Sequence, residues 1–349
     1  MFFVVSLVAP VGLAPTSAAA PAFVGLAPAR VLETRANLAT VDGAANGLGL
    51  RDAGSITEVQ ITGRAQVPLS TTAVSVNVTA TEPRAAGFLT LFPCGSERPN
   101  ASSLNYAAGQ TIANNAIAKL DSRGALCVFT LAASHIVLDV NGYFTSGGDY
   151  RPVSPARLLE SRPALATVDG RSNGIGLRSA GSSTPVVAAG RADVPANASA
   201  VAVNITVTEP QAAGFVTAFP CGAERPNAST LNYASGQTIA NGAVVMLGTD
   251  GALCLFTLST THLLLDVTGY FTDGGSYRPL QPARVADTRL DGTTSDGSCR
   301  AMGRLRGASE IRLPVLGRGG VPTTGVGAVV LTVTATEPRR DGFVTAYPN

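Results

Sequence analysis

The chain lacks tryptophan altogether, has a single lysine (Lys119) and two histidines (His135 and His262), and is only 14% charged. With arginine carrying nearly all the positive charge and no basic run to track phosphates, nucleic acid is excluded as a partner class. Net charge is +2, so no strongly charged partner is implied. Five cysteines without a CxxC spacing, and two histidines that form no cluster, fall short of a four-ligand zinc set. Nothing in the composition asks for a metal or a cofactor. Beyond the first 22 residues no apolar run approaches the roughly 20 residues needed to cross a bilayer, so no stable membrane insertion is expected there.

What is present is repetition. Residues 30–144 map onto 157–271 at a constant shift of 127, and a third copy begins after residue 276. Solenoid and propeller units repeat every 20–50 residues or so, whereas a unit of this size can close its own core. The expected organisation is a signal peptide (1–22), two complete repeats (23–149 and 150–276) and a partial third (277–349), arranged as beads on a string. Residues 2–14, FFVVSLVAPVGLA, followed by the small-residue segment TSAAAPA, have the layout of a secretory signal, although no basic residue precedes Arg30. The bias toward arginine, alanine and glycine suits a high-GC bacterial genome.

Cysteine placement agrees with export. Cys94 and Cys127 recur as Cys221 and Cys254, which predicts one disulfide per repeat, each worth about 3–4 kcal/mol by loop closure. Cys299 has no counterpart in the other copies.

Within a repeat, short alternating or β-branched runs are separated by Gly, Pro, Asn and Asp clusters, with no competing helix signal. The clearest strands are ITEVQIT (56–62), AVSVNVTATE (73–82), FLTLF (88–92), ALCVFTL (125–131) and HIVLDVNGYF (135–144), with weaker ones at ARVLETR, SSLNY and NAIAKL. Eight or so strands indicate an all-β, antiparallel β-sandwich of immunoglobulin-like or jelly-roll topology. The two-residue period puts Val74, Val76 and Val78 on a core face, opposite Ser75, Asn77 and Thr79. Phe88, Phe92 and Cys94 share one face of their strand, as do Cys127, Phe129 and Leu131. If both faces point inward, the disulfide caps an aromatic core. The junctions TSGGDYRPVSPAR and TDGGSYRPLQPAR read as short connectors, flexible at Gly-Gly and stiff at the prolines, with Tyr150 and Tyr277 able to pack back on a domain.

Candidate chemistry lies in polar residues kept between copies: Arg30, Glu33 and Arg35 (then Arg157, Glu160, Arg162, and Arg284, Asp287, Arg289); Arg64, Arg191 and Arg318; Glu82, Glu209 and Glu337; Asp139 and Asp266. An arginine-carboxylate framework bracing the sandwich is the favoured reading. A sugar-binding or hydrolytic site, with Glu82 and Asp139 as an acid-base pair, is the rival. His135 stands four residues before Asp139, about 13 Å along a strand, too far for a dyad. The Asp42-Gly43 and Asp169-Gly170 turns supply too few carboxylates for calcium. Asn-x-Ser/Thr sequons occur at Asn77, Asn100, Asn197, Asn204 and Asn227, and matter only in a eukaryotic secretory protein.

Taken in order, ARVLETR, GRAQVP, VSVNVTATEPRAAGFLTLFPCG, RPNASSLNYAAGQTIAN and HIVLDVNGYF resemble a repeat of secreted and cell-surface actinobacterial proteins. The resemblance covers the chain after the signal segment. It implies an accessory, non-catalytic module on the cell surface, serving as spacer, adhesin or envelope-associated binding array, with cell-wall or extracellular glycans or other surface proteins as partners. A carbohydrate- or peptidoglycan-binding module is the first alternative, and the extracellular hydrolase the second. The third copy departs from the pattern, with Cys299 extra and Asn349 where the earlier copies have Cys94 and Cys221.

Overall fold

The computed structural model describes residues 23–273, 275–340, 342, 344 and 346; the expected signal segment lies outside them. The described residues hold strands but no helix. The first repeat contains β1 (Val24–Glu33), β2 (Ile56–Gln60), β3 (Thr71–Thr81), β4 (Gly87–Pro93), β5 (Leu104–Tyr106), β6 (Ile112–Lys119), β7 (Ala125–Thr130) and β8 (His135–Thr145). The second contains β9 (Tyr150–Glu160), β10 (Ser183–Val187), β11 (Ala198–Thr208), β12 (Gly214–Pro220), β13 (Leu231–Tyr233), β14 (Ile239–Met246), β15 (Ala252–Thr257) and β16 (His262–Thr272).

Each repeat is two four-stranded antiparallel sheets. In the first, sheet I runs β1-β8-β3-β6 and sheet II runs β2-β7-β4-β5; the second repeats this as β9-β16-β11-β14 and β10-β15-β12-β13. That strand order is the jelly roll of the two topologies considered above, eight strands in two interlocked Greek keys. Val74, Val76 and Val78 face Leu89, Leu91, Leu126 and Val128 across the sandwich, and all are buried. The second core repeats the pattern around Val201, Val203, Ile205, Leu253 and Leu255.

The disulfides Cys94–Cys127 and Cys221–Cys254 are formed. Their surroundings differ from the inward-facing expectation. Phe88, Phe92, Cys94, Cys127 and Phe129 make a separate cluster on the outer face of sheet II. Leu89 and Leu91 take the alternate positions on β4, and Leu126 and Val128 those on β7, so the aliphatic face wins the core. The outer aromatics are roofed instead by Arg98, whose guanidinium carbon lies 4.4 Å from the Phe129 ring centre.

The repeats are not loosely strung beads. An aromatic ladder crosses both junctions: Phe23 to Phe144 at 5.1 Å, Phe144 to Tyr150 at 4.4 Å, Tyr150 to Phe271 at 4.9 Å and Phe271 to Tyr277 at 4.1 Å between ring centres. The phenylalanine next to the end of each repeat's last strand is thus held between its own leading aromatic and the next repeat's. Tyr150 is 1% exposed, and burial pushes its hydroxyl well above the usual tyrosine value. Ala73, Ala200 and Ala202 pack around the ladder, small enough to let the rings approach. The connector's proline stiffness is therefore reinforced by packing on both sides.

Residues 277–340 contain no strand among the described residues. The topology gives the reason. This stretch carries counterparts of β1, β2 and β3, yet β1 and β3 both pair with β8, and β2 pairs with β7. None of the three can form a ladder with another. Leu331 and Val333, which match Val203 and Ile205 of the second core, are 46% and 57% exposed.

Candidate functional site

The retained polar residues gather on the outer face of sheet I, at β1 and β8 in the first repeat and β9 and β16 in the second. Antiparallel register sets Arg30 opposite Asp139 and Arg157 opposite Asp266. Arg30 donates from Nε and Nη2 to Asp139 (2.8 and 3.3 Å) and from Nη1 to Glu33 (2.9 Å), and Arg35 forks onto Glu33 (2.9 and 2.8 Å). The second copy is the same: Arg157 to Asp266 (2.9 and 3.1 Å) and Glu160 (2.8 Å), with Arg162 forked onto Glu160 (2.9 and 2.9 Å). Arg284, Asp287 and Arg289 rebuild part of it in the third copy. Burial opposes ionisation of Glu33 and Glu160, but hydrogen bonds from Arg35 and Arg162 hold each below the ordinary carboxylate value.

A second pair fixes the long β1–β2 loop. Arg64 forks onto Asp42 (2.6 and 2.7 Å), and Arg191 onto Asp169 (2.7 and 2.7 Å). Both carboxylates are spent on the guanidinium, which leaves the Asp-Gly turn no free ligand for a cation. Asp169 is held down to about 2 by the Arg191 hydrogen bond, and Arg318 holds Asp296 likewise below its ordinary value.

Glu82 and Glu209 do not join the framework. Both are exposed, and no arginine lies within ion-pairing distance of either among the described residues. Each sits in the left-handed region (φ 54° and 53°) where β3 and β11 end before a proline, so their place in the fold is a turn and not a bridge. Glu82 is five residues along β3 from Asn77, the partner of Asp139, or roughly 17 Å of strand, beyond the ~5–9.5 Å separation of working carboxylate pairs. Asp139 is itself occupied by Arg30. His135 and His262 bond Thr34 (3.0 Å) and Ser161 (2.8 Å) through Nδ1. Tyr106 and Tyr233 are buried, with hydroxyls on Thr130 and Thr257. Glu58 lies near Cys94 and Cys127, but disulfide formation removes both sulfurs as metal ligands.

Sequence reasoning anticipated Tyr150 and Tyr277 packing back on a domain but missed the polar side of the junction. The outer face of the second repeat's sheet I is covered by the β5–β6 side of the first. Asn114 donates to the Asn204 side chain (2.9 Å), Asn204 donates to the Ser102 carbonyl, and the Gly242 amide donates to Asn114 Oδ1 (3.0 Å). Gly242 is required there, because a Cβ would run into the Asn115 carbonyl. The first copy has Asn115 at the position of Gly242, and that replacement was the available signal.

Beside this contact a cleft of about 150 Å³ opens between the repeats. Phe88, Arg98, Asn100 and Asn105 line it from the first repeat, and Arg157, Arg162, Leu165 and Thr206 from the second. The Thr206 hydroxyl is buried without a hydrogen-bond partner.

No known protein family matches the sequence, and no curated protein is similar to it. Among solved structures, the chain has a faint likeness to the N-terminal CBM22-1-CBM22-2 tandem domain of Paenibacillus barcinonensis Xyn10C. The identity is 12%, with 73% of this chain and all of that one covered, and the TM-score is 0.20, too low to carry an argument.

Proposed function

We propose that the chain is a non-catalytic, extracellular tandem module that acts as a stiff element of a surface array. The aromatic ladder carries this reading: it fixes each repeat against the next, so that a copied domain adds defined length instead of a loose tether. Two disulfides support an oxidising compartment, and the residue-level resemblance to actinobacterial surface repeats supports display outside the cell. Glu82 and Asp139 do not stand at the working distance of an acid-base pair, and Asp139 is bound by Arg30, which favours a structural role for the arginine framework. Small-angle scattering tests the stiffness. A single rod-like conformation that persists from low to high salt is expected, and a broad distribution of inter-repeat angles would overturn the reading.

A second reading, binding of carbohydrate or peptidoglycan, is favoured by the cleft between the repeats, where amides, guanidinium groups and an aromatic ring converge. Co-sedimentation of the whole chain with isolated cell walls and insoluble polysaccharides tests it. Retention on at least one glycan is expected, and recovery entirely in the supernatant would remove it.

A further inference from the structure

The cleft exists only because two repeats meet. One wall is the 98–105 segment and Phe88 of the first repeat, and the other is the outer face of the second repeat's sheet I with Arg162 and Leu165. Three guanidinium groups line it, from Arg98, Arg157 and Arg162. The two carboxylates that neutralise them, Asp266 and Glu160, are both bound by Arg157, and Glu160 also by Arg162. Arg98 has no carboxylate within ion-pairing distance among the described residues; it is placed by the Phe129 ring beneath it. One positive charge is therefore left over, and it comes from the neighbouring repeat.

From these groups we infer that the junction cleft is a binding site for an acidic saccharide, a pyranose ring carrying a carboxylate. The inference rests on the glycan-binding reading and specifies its seat and ligand class. Phe88 and Leu165 offer apolar surface to the C–H face of a sugar ring, and Asn100 and Asn105 offer amides for its hydroxyls. Arg98 supplies the unmatched cation for the carboxylate. Thr206 lines the cleft with a hydroxyl that is buried without a hydrogen-bond partner. The volume is smaller than a typical drug-sized site and suits a single ring of a longer chain lying across the groove. In the second repeat Arg225 stands over Phe256 at 4.2 Å, as Arg98 does over Phe129, but it is not among the residues that line this cleft.

Affinity electrophoresis of the full chain tests the site, using gels that contain soluble polygalacturonate, a neutral soluble glucan of matched length, or dextran sulfate. Retardation by polygalacturonate and not by the glucan is expected. Arg98→Ala should weaken it ~10-fold, equivalent to about 1.4 kcal/mol, and Arg225→Ala should leave it unchanged. Asn105→Ala, which keeps all charges, should weaken it several-fold. Equal losses for Arg98→Ala and Arg225→Ala, or retardation of the wild type by dextran sulfate as strong as by polygalacturonate, would reduce the effect to general charge attraction and overturn the site. Retardation by the glucan alone would keep glycan binding and overturn the acidic ligand. No retardation in any gel, with no cell-wall retention, would remove the glycan reading as well, leaving the stiff array untouched.

Discussion

Arg30 and Arg157 hold equivalent carboxylates at nearly equal distances, yet the first side chain is 34% exposed and the second 7%; their partners Asp139 and Asp266 are 24% and 1% exposed. The motif and the strands are the same. What differs is the neighbour: the first repeat's β5–β6 side lies across the second repeat's sheet I, and the Ser102 backbone amide adds a hydrogen bond to Asp266. Burial pushes the Asp266 carboxyl above its ordinary value against the pull of Arg157, while Arg157, although desolvated, is raised by its two carboxylates. A framework that braces one domain in the first copy has become part of an interface in the second. Position in the array, and not the shared motif, decides how deeply each ion pair is buried.

The sharpest way to break this comparison is to remove one arginine from each copy. Arg157→Met leaves Asp266 and Glu160 buried with too little compensating charge, and should destabilise the chain by about 3–5 kcal/mol. Arg30→Met, where Arg30 and Asp139 are partly exposed and Glu33 keeps Arg35, should cost less, about 1 kcal/mol. Denaturant unfolding of both variants checks the difference, and equal losses would mean that burial at the junction does not set the energetics. The disulfides form the complementary control, because both lie on the outer face of sheet II. Replacing Cys94 and Cys127 by alanine, or Cys221 and Cys254, should cost about 3–4 kcal/mol in either repeat, with matching midpoints by calorimetry.

Much of the single repeat was legible in the sequence, and for identifiable reasons. Alternation along 73–82 placed Val74, Val76 and Val78 inside, and the recurring cysteines gave the bridges. FLTLF was ambiguous because both its faces are apolar. Only the partner strands, with Leu126 and Val128 meeting Leu89 and Leu91, decided that the phenylalanines go out. Glu82 recurs in every copy, as a bridging residue would, but its retention goes with a left-handed turn before proline that no pairing rule reveals. The junction was least legible, because its contacts join residues about 90 to 130 positions apart and depend on a glycine that stands out only once Asn115 is set beside Gly242.

That pair of positions offers a more local test. Gly242→Asn gives the second copy the residue of the first, and the added side chain must displace the Asn115 backbone. A loss of about 1–3 kcal/mol is expected, with faster hydrogen exchange at the Ser102 and Gly242 amides while the cores around Val76 and Val203 stay protected. Asn115→Gly removes an exposed side chain, since it is the Asn115 backbone that meets Gly242, and should change stability by no more than about 1 kcal/mol. If exchange at the junction is the same in Gly242→Asn and the wild type, the close approach of the two edge strands is not what holds the repeats together.

The smallest effect compares the two loop pins. Asp169 has its folded value depressed to about 2 by Arg191, against about 3.9 for an unfolded aspartate, so its contribution is complete above pH 4 and is lost as pH falls toward 2. Asp42, hydrogen-bonded by Arg64, is likewise held below its ordinary value, so its contribution is also lost as the pH falls into acid. Asp169→Asn and Asp42→Asn should each therefore flatten the decline in unfolding free energy as the pH falls from 4 toward 2. Arg191 also donates to the Leu158 carbonyl and is 1% exposed at its side chain, whereas the Arg64 side chain is 10% exposed. The neutral-pH cost of Asp169→Asn should accordingly be the greater, since it leaves the more buried guanidinium short of its anion. A steeper acid decline in either variant than in the wild type would reverse the assigned sign and show that these carboxylates take up protons more readily folded than unfolded.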